Sequence, residues 1–388
     1  MAILLIFLTV IFYLNFVSRI IIGPLLPFLE RSMVLSHAQS SSLFMLLSAG
    51  YFIAILCSGL VSSKVGHRAT IAISAFLIGL SLFLTSFASC LMEMRGGLFC
   101  MGFSAGLYLP SAIAVISSEC PREMWGRAFS VHELAPNLAF VTAPFIVALL
   151  LNTYPWQEMF KFQAAVLCAA GVLFFSFQRT KKEYGTRPDF RGLRQVARTP
   201  GLCLITVMFS MGILGTLGIF NLLPLFLVSQ HGLGDVAANA ITGFSRIATL
   251  AAALTGGWLA DRLGAVRTMG GVLGLSGVLV MIMGVASGRM LYACVFLQPV
   301  VAVCFFPAAF SALSSLVPAN LRNLVISVVV PLAYVAGGGG IPWFIGWLAD
   351  MNHFSLGISV AGAAMAAGGC LAFLLKGYDR RISFHAGS

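Results

Sequence analysis

Charged side chains are scarce in this sequence of 388 residues. Asp, Glu, Lys and Arg together make up 9% of the chain, and only 12 residues are acidic, whereas a soluble domain carries about 25% charged residues. Hydrophobic residues make up 59%, which is more than a soluble fold can remove from water. The scarcity of charge therefore excludes a soluble enzyme or binding module and indicates a chain that crosses a bilayer many times.

The motifs of common catalytic sites are also missing. The sequence has no G-x-S-x-G, no H-E-x-x-H and no Walker sequence, so we expect neither an enzyme nor an ATP-driven pump. None of the nine cysteines lies in a C-x-x-C pair, and scattered cysteines in apolar runs are typical of small buried residues. We therefore expect no metal and no cofactor. The first residues lack the charged region and cleavage site of a signal peptide, which predicts that the first apolar segment is retained.

Apolar runs long enough to cross a membrane follow one another along the chain. A membrane-spanning helix needs about 20 apolar residues, and it satisfies its backbone hydrogen bonds internally. The pattern predicts an all-α membrane protein with twelve transmembrane helices, numbered here as spans 1 to 12. The predicted spans are residues 3–29, 38–60, 69–89, 92–118, 125–151, 158–177, 201–228, 236–259, 268–287, 290–316, 324–348 and 354–375.

The net charge of +11 is distributed as a membrane topology signal rather than as a nucleic-acid surface. If the N-terminus lies inside, the outer side carries only four basic residues, in the connections or in the first turn of a span: Arg31, Arg95, Lys161 and Arg289. The connection between spans 6 and 7 falls inside and carries Arg179, Lys181, Lys182, Arg187, Arg191, Arg194 and Arg198. Because cytoplasmic loops are enriched in Lys and Arg, we expect a bacterial inner-membrane protein with both termini in the cytoplasm.

The two halves of the chain repeat one plan. Pro27 and Pro224 lie about 198 residues apart, as do Pro144 and Pro342, and prolines inside helices are too costly to recur by chance. A repeat of six spans inserts both copies in the same orientation. We therefore predict an N-terminal six-helix bundle (residues 1–177), a cytoplasmic linker (178–200) and a C-terminal six-helix bundle (201–388). The basic linker either contacts anionic lipid or serves only as a solvated topology signal.

A loop signature follows span 8. Residues 257–264 read GWLADRLG, in which a glycine allows close helix approach, Asp261 can cap the next helix and pair with a basic residue such as Arg262, and Gly264 supplies a tight turn. The first half carries a degraded copy from Gly59 to Arg68, with Gly66 at the turn. In that copy Ser63 stands where the acidic residue is expected.

These residues resemble the loop signature of the major facilitator superfamily. Arg95, Gly102, Gly106 and Pro110 are similar to the fourth-helix pattern of that family. The resemblance implies two six-helix bundles around a central cavity and transport by alternating access in a monomer. It does not fix the cargo, because one fold serves many substrates. Drug–proton antiporters of the family usually carry a glycine-rich fifth helix ending in Gly-Pro, and residues 137–144 (NLAFVTAP) lack those glycines.

Two arginines, Arg19 and Arg246, lie well inside predicted spans rather than near their ends. Arg19 lies four residues after Asn15 in span 1, and Arg246 lies in span 8 beside polar residues at helical spacing. Ionisable groups at membrane depth indicate function, and a guanidinium offers a planar fork of donors for a carboxylate. Family members that carry organic anions, including monocarboxylates, often hold the carboxylate with an arginine in the eighth helix, and this placement is similar. The alternative for Arg246 is a structural contact with Glu133 or with backbone carbonyls; for Arg19 it is a structural hydrogen bond.

Span 5 contains the adjacent pair His132 and Glu133. A carboxylate buried in a helix bundle can take up a proton near neutral pH, and histidine titrates in the same range. The pair therefore predicts a proton-coupling site, with a structural Glu–Arg pair as the alternative. Other residues of the predicted spans that we expect to contact substrate are Tyr108, Asn221, Gln298 and Tyr334. We expect Arg95 to be structural or to couple the two conformations.

Together these features predict a transporter of a small organic anion, most simply a carboxylate, driven by proton symport or by exchange. Its partners would be the anion, protons and membrane lipids, and we expect no nucleic acid. Two alternatives remain open. The first is an exporter of drugs, amphipathic compounds or lipids, and the second is a transporter-like sensor or assembly partner that moves nothing.

Overall fold

A computed structural model describes residues 2–151, 153–177, 183–185, 200–316 and 322–385. Up to residue 177 its α-helices are Ala2–Ile20, Ile22–Met33, His37–Val65, His67–Thr85, Leu91–Gly106, Tyr108–Glu119, Trp125–Leu150 and Trp156–Phe177, with a 3₁₀ turn at Arg122–Met124. Most of the predicted linker 178–200 lies outside the described residues. Residues 183–185 contact the turn after span 2, where Gly185 N donates to Ser62 O (3.2 Å) and His67 N donates to Glu183 O (3.1 Å).

The second half is helical as well. Its α-helices are Pro200–Ile213, Ile219–His231, Asp235–Ile247, Thr249–Leu263, Ala265–Val285, Gly288–Ala302, Phe305–Leu316, Arg322–Ala333, Ile341–Asp350 and Phe354–His385. Two stretches are π-helical, Leu214–Gly218 and Tyr334–Gly340. A π-helix widens the backbone by one residue per turn and often occurs at functional sites. In the described part of the chain, no residue adopts a β-strand.

Among the described residues, twelve helical stretches are long and apolar enough to cross a membrane, which confirms the predicted all-α membrane fold. Several of them consist of two helical segments in sequence. Span 1 runs from Ala2 to Met33 with a break at Ile21, and span 4 runs from Leu91 to Glu119 with a break at Leu107. Each break precedes a proline by three residues, at Pro24 and Pro110, where the missing N–H and the ring disturb the helix one turn upstream.

The chain divides into two compact units. Unit 1 contains Met1–Pro188 and Leu233–Gly243, and unit 2 contains Asp189–Gly232 and Phe244–Ser388. Unit 1 thus includes the first half of span 8, where Asp235 forms a bidentate ion pair with Arg31 (2.6 and 3.2 Å). The predicted division at the linker stays a prediction.

Glycines allow the helices of unit 1 to approach closely. A Cβ atom on Gly102 in span 4 would lie 2.1 Å from the carbonyl oxygen of Leu47 in span 2. Because real Cβ atoms stay at least 3.0 Å from such an atom, only glycine permits this crossing. The glycine pattern that suggested the fourth helix of the family is therefore a packing pattern between spans 2 and 4.

The two signature turns have the same backbone shape. Gly66 and Gly264 each precede a helix with a positive φ, +82° and +89°, as predicted for glycine turns. The expected role of Asp261 was wrong. Asp261 is exposed and lies inside the helix Thr249–Leu263, while the next helix starts after Gly264 without a capping side chain.

Within the described residues Asp261 forms no ion pair with a basic side chain. Arg262 instead places its guanidinium over the ring of Trp258, 4.4 Å from the centroid. In the first copy, Arg68 donates to the carbonyl of Phe175 and lies over that ring. Arg262 and Arg68 therefore contact aromatic residues rather than carboxylates.

Gly59, the first glycine of the degraded copy, lies inside the helix His37–Val65.

Candidate functional site

Arg19 is buried in unit 1, with 4% of its surface exposed. Its guanidinium carbon lies 4.5 Å from the ring centroids of both Phe16 and Tyr51. Phe16 precedes Arg19 by three residues and so lies on the same side of the helix, whereas Tyr51 comes from span 2. Asn15, four residues before Arg19, is buried as well, with 1% of its surface exposed.

Two buried amide side chains lie on or beside the helix that carries Arg19. Asn15 donates its Nδ2 hydrogen to the carbonyl of Ala105 (3.1 Å), and Gln163 of span 6 donates to Ser18 Oγ (2.9 Å). In the described chain, Asn15 Oδ1 and Gln163 Oε1 are buried and accept no hydrogen bond. The sequence reasoning missed Gln163 and Ser18, although a glutamine inside an apolar run is a recognisable signal. Unit 1 therefore holds a buried cation and two buried amide acceptors around span 1.

Arg246 is equally buried, also with 4% exposure, in unit 2. It donates an Nη2 hydrogen to the carbonyl of Thr216 (2.8 Å), and its guanidinium carbon lies 4.9 Å from the ring centroid of Phe220. Thr216 belongs to the π-helical stretch Leu214–Gly218. The backbone-carbonyl contact considered from the sequence is thus present at Arg246.

Gln298, which we expect to contact substrate, forms two hydrogen bonds inside unit 2. Its amide donates to the carbonyl of Gly215 (2.8 Å) and to Ser276 Oγ (3.0 Å), and it is 1% exposed. Gly215 precedes Thr216 in the same π-helical stretch. Two long polar side chains, from spans 8 and 10, therefore bind successive carbonyls where span 7 departs from α-helical geometry.

His132 and Tyr108 form a buried stack with Phe12. The His132 ring lies 4.4 Å from the Phe12 ring at an interplanar angle of 8°, and both His132 and Tyr108 are fully buried. Tyr108 donates its hydroxyl hydrogen to the carbonyl of Leu8 (2.6 Å) and lies 3.1 Å from His132 Nε2. Because this hydroxyl hydrogen is used on Leu8, Tyr108 must accept from Nε2–H, which assigns Nδ1 as the basic nitrogen. Tyr108, expected to contact substrate, is bonded inside unit 1.

The predicted burial of Glu133 is wrong. Its side chain is 59% exposed, and its carboxylate lies 3.7 Å from Nδ1 of His132. Adjacent residues on a helix differ by about 100°, so His132 faces the interior and Glu133 does not. The described residues provide Glu133 with no arginine partner. The pair thus joins a buried base to an exposed acid, and the alternative, a structural Glu–Arg pair, is not found among the described residues.

The remaining predicted residues are distributed between the units. Asn221 is 3% exposed, and within the described chain its Oδ1 is buried without a hydrogen bond. Tyr334 is half-buried at the start of the second π-helical stretch. Arg95 donates from Nε and Nη2 to Ser42 Oγ (3.0 and 2.8 Å), and its role, structural or in coupling the two conformations, stays a prediction.

Comparisons with known proteins support the architecture. The profile of the Major Facilitator Superfamily matches residues 8–248. The multidrug efflux protein YfmO of Bacillus subtilis (strain 168) is 23% identical over 96% of this chain and 93% of its own length. The multidrug resistance protein MdtG of Yersinia enterocolitica is 25% identical over 68% of this chain and 66% of its own.

Solved structures share the fold at low identity. A bacterial homolog of the human lysosomal transporter Spinster, in an inward-facing and occupied conformation, superimposes with a TM-score of 0.80 at 14% identity, covering 97% of this chain and 96% of that chain. A mutant of the nucleoside transporter NupG gives 0.77 at 16% identity, covering 96% and 99%. The relatives bear drug-efflux names, so the organic-anion subtype expected from the sequence is not confirmed.

Proposed function

The chain belongs to the Major Facilitator Superfamily, and from that premise we propose that this multi-pass membrane transporter carries a small organic anion in exchange with, or together with, protons. The observation that carries the proposal is the pair of buried arginines, Arg19 in unit 1 and Arg246 in unit 2. Each cation lies on a buried polar face of its helix and beside aromatic rings. Because a guanidinium binds carboxylates, we propose an anionic cargo.

The cost of burying Arg19 can be offset by its aromatic contacts, which leaves its guanidinium available to bind a ligand. A charged residue at the centre of a membrane helix costs about 3 kcal/mol on insertion scales, and each ring contact returns about 0.5 to 2 kcal/mol. The rings of Phe16 and Tyr51 can therefore hold Arg19 in place without a ligand. An arriving carboxylate adds charge-assisted hydrogen bonds to the planar guanidinium.

The aromatic surroundings favour an organic anion over an inorganic one. Phe16 and Tyr51 border Arg19, and Phe220 borders Arg246. A ligand with one carboxylate and a small apolar body matches both features, because the apolar body gains from leaving water while the carboxylate meets the cation. The buried acceptors of Asn15 and Gln163 suit a hydroxyl or amine on the same ligand.

The His132–Glu133 pair supports proton coupling. A proton added to Nδ1 of the buried His132 faces the Glu133 carboxylate at 3.7 Å, and Glu133 itself is exposed. We propose that Glu133 takes up protons from the aqueous side and passes them to His132, whose other nitrogen contacts the Tyr108 hydroxyl. Charge on His132 would alter the stack of Phe12 and Tyr108, which involves spans 1, 4 and 5. We further propose a bacterial inner-membrane location with both termini in the cytoplasm, on the basis of the Lys and Arg distribution.

A ligand screen on the purified protein tests the cargo proposal. Thermal unfolding is measured with small carboxylates, organic phosphates and cationic drugs. We expect a carboxylate to raise the unfolding midpoint of the native chain. The same carboxylate should not change the unfolding midpoint of the Arg246→Gln variant. Arg289→Gln, which removes an exposed arginine, is the matched control and should keep the full shift. Stabilisation by cations alone would end the anion proposal.

A second candidate is export of amphipathic drugs, which the names of the relatives YfmO and MdtG favour. In that case the rings beside the arginines would contact the drug, and the guanidinium groups would be structural. The two candidates differ in one result. Drug export predicts that Arg246→Gln, once shown to be folded, still transports, whereas the anion proposal predicts that transport is lost.

A further inference from the structure

An apolar groove lies on unit 2 between span 9, Ala265–Val285, and span 12, Phe354–His385. Its volume is about 300 Å³, and its wall is made almost entirely of small side chains. Lining residues include Gly270, Gly271, Gly274, Ala366 and Cys370, with Arg267 at one end. Neither Thr216 nor Phe220, which contact Arg246, lines this groove.

The glycines of span 9 perform two different tasks. Gly277 brings the helices together, because a Cβ atom there would lie 2.4 Å from the backbone nitrogen of Ala366. Gly271 and Gly274 do not, because a Cβ atom on either would meet no atom within 4 Å. Helix packing therefore does not require glycine at these two positions. Because glycine has no side chain, Gly271 and Gly274 leave the groove open.

The surroundings of the groove decide what can fill it. An apolar recess at membrane depth is a poor site for water, which needs two to four polar partners, so a hydrocarbon chain is the natural occupant. Arg267 is exposed at the end where span 9 begins, which the charge distribution assigns to the cytoplasmic leaflet. The described residues supply no carboxylate to its guanidinium. A basic group at the mouth of an apolar groove is complementary to an anionic lipid.

We propose that this groove binds one anionic phospholipid, with an acyl chain along Gly271 and Gly274 and the headgroup phosphate at Arg267. A second copy of the chain is the competing occupant, since Gly270 and Gly274 have the spacing of a helix-dimer motif. Two copies in one membrane would insert in the same orientation, and a two-fold interface would bring both Arg267 side chains to the same level. Repulsion between them favours the lipid.

Native mass spectrometry of the full chain in detergent, titrated with phosphatidylglycerol or phosphatidylcholine, tests the proposal. We expect one tightly bound phosphatidylglycerol, preferred about fivefold over phosphatidylcholine, as one arginine near a headgroup provides. Arg267→Gln should abolish the preference but keep binding of either lipid. Gly271→Leu should fill the groove and reduce binding of both.

The matched control is Gly96→Leu on span 4, where a Cβ atom also meets nothing within 4 Å, and it should bind lipid like the native chain. Equal affinity of the native chain for the two lipids, or unchanged binding by Gly271→Leu, would overturn the proposal. A dimer that Gly274→Leu converts to a monomer would overturn it in favour of the second copy. If Arg267→Gln and Gly271→Leu keep the native unfolding midpoint, their loss of lipid preference or lipid binding reflects a change at the groove and not a loss of the fold.

Discussion

Two glycines on span 4 provide a matched test of the helix packing in unit 1. A methyl group on Gly102 would lie 2.1 Å from the carbonyl oxygen and 2.9 Å from the carbonyl carbon of Leu47, whereas a methyl group on Gly96 would meet no atom within 4 Å. Both atoms of Leu47 are backbone, so they cannot rotate away as a side chain does. The substitution Gly102→Ala must therefore push spans 2 and 4 apart.

The expected magnitudes have opposite signs. Overpacking of this kind costs about 1 to 3 kcal/mol, and contact with rigid backbone places Gly102→Ala at about 3 kcal/mol of lost stability. Gly96→Ala removes the entropic cost of glycine in a helix and should gain about 0.4 to 1 kcal/mol. The two variants change the sequence by the same single methyl group.

The assay is thermal unfolding of both variants in detergent, followed by tryptophan fluorescence and by size-exclusion chromatography after heating. We expect Gly102→Ala to unfold well below the native chain and Gly96→Ala at or slightly above it. Equal midpoints for the two variants would refute the close crossing of spans 2 and 4. A destabilised Gly96→Ala would show that its surroundings are crowded.

Three further predictions concern the site and the signature loop. Gln298→Leu removes the bonds to Gly215 O and Ser276 Oγ and should cost about 1 to 2 kcal/mol, measured as a lower unfolding midpoint; no change would mean that the π-helical stretch does not depend on it. His132→Phe keeps the stack on Phe12 but removes the basic nitrogen, so transport in proteoliposomes should lose its dependence on the proton gradient, and retained dependence would exclude His132 as proton carrier. Asp261→Asn should leave the stability within about 0.5 kcal/mol of native, and a large loss would reveal a contact of this exposed carboxylate.

Hydropathy was sufficient to predict the twelve spans because the bilayer requires long apolar helices with internally satisfied backbones. It could not predict the π-helical stretch at Leu214–Gly218. The carbonyls of Gly215 and Thr216 accept hydrogen bonds from Gln298 and Arg246, which come from distant positions in the sequence. A local departure that depends on tertiary contacts leaves no periodic signal in its own segment.

The burial of the candidate site residues was predicted in part. Spacing by four residues placed Asn15 and Arg19 on one face, and both are buried. The error at Glu133 arose from choosing the wrong one of two adjacent positions in span 5. A row of small residues carries the correct signal, since Ala128, Ala135 and Ala139 share the buried face of His132. Small residues mark the tightly packed side of membrane helices, and that rule would have selected the histidine.

The partners of Asp261 and Tyr108 could not be predicted for a related reason. The loop signature predicts a capping and pairing role for Asp261, and a tyrosine inside a span predicts a substrate contact for Tyr108. The actual partners of both side chains depend on the exact rotation of each helix. Tyr108 reaches Leu8 O and His132 inside unit 1, and Asp261 is exposed on the last turn of its helix. Neither rotation can be fixed to within one residue from apolar periodicity alone.

The central claim is that Arg19 and Arg246 bind the cargo anion, and transport by reconstituted protein tests it most directly. Proteoliposomes containing native, Arg19→Gln, Arg246→Gln or Arg246→Lys protein are assayed for uptake of the carboxylate identified by thermal shift, with Arg289→Gln as the control. We predict that both glutamine variants lose uptake by about tenfold or more, that Arg246→Lys recovers only part of it because a lysine lacks the planar fork, and that Arg289→Gln is unchanged. Full uptake by correctly folded Arg19→Gln and Arg246→Gln would contradict the claim.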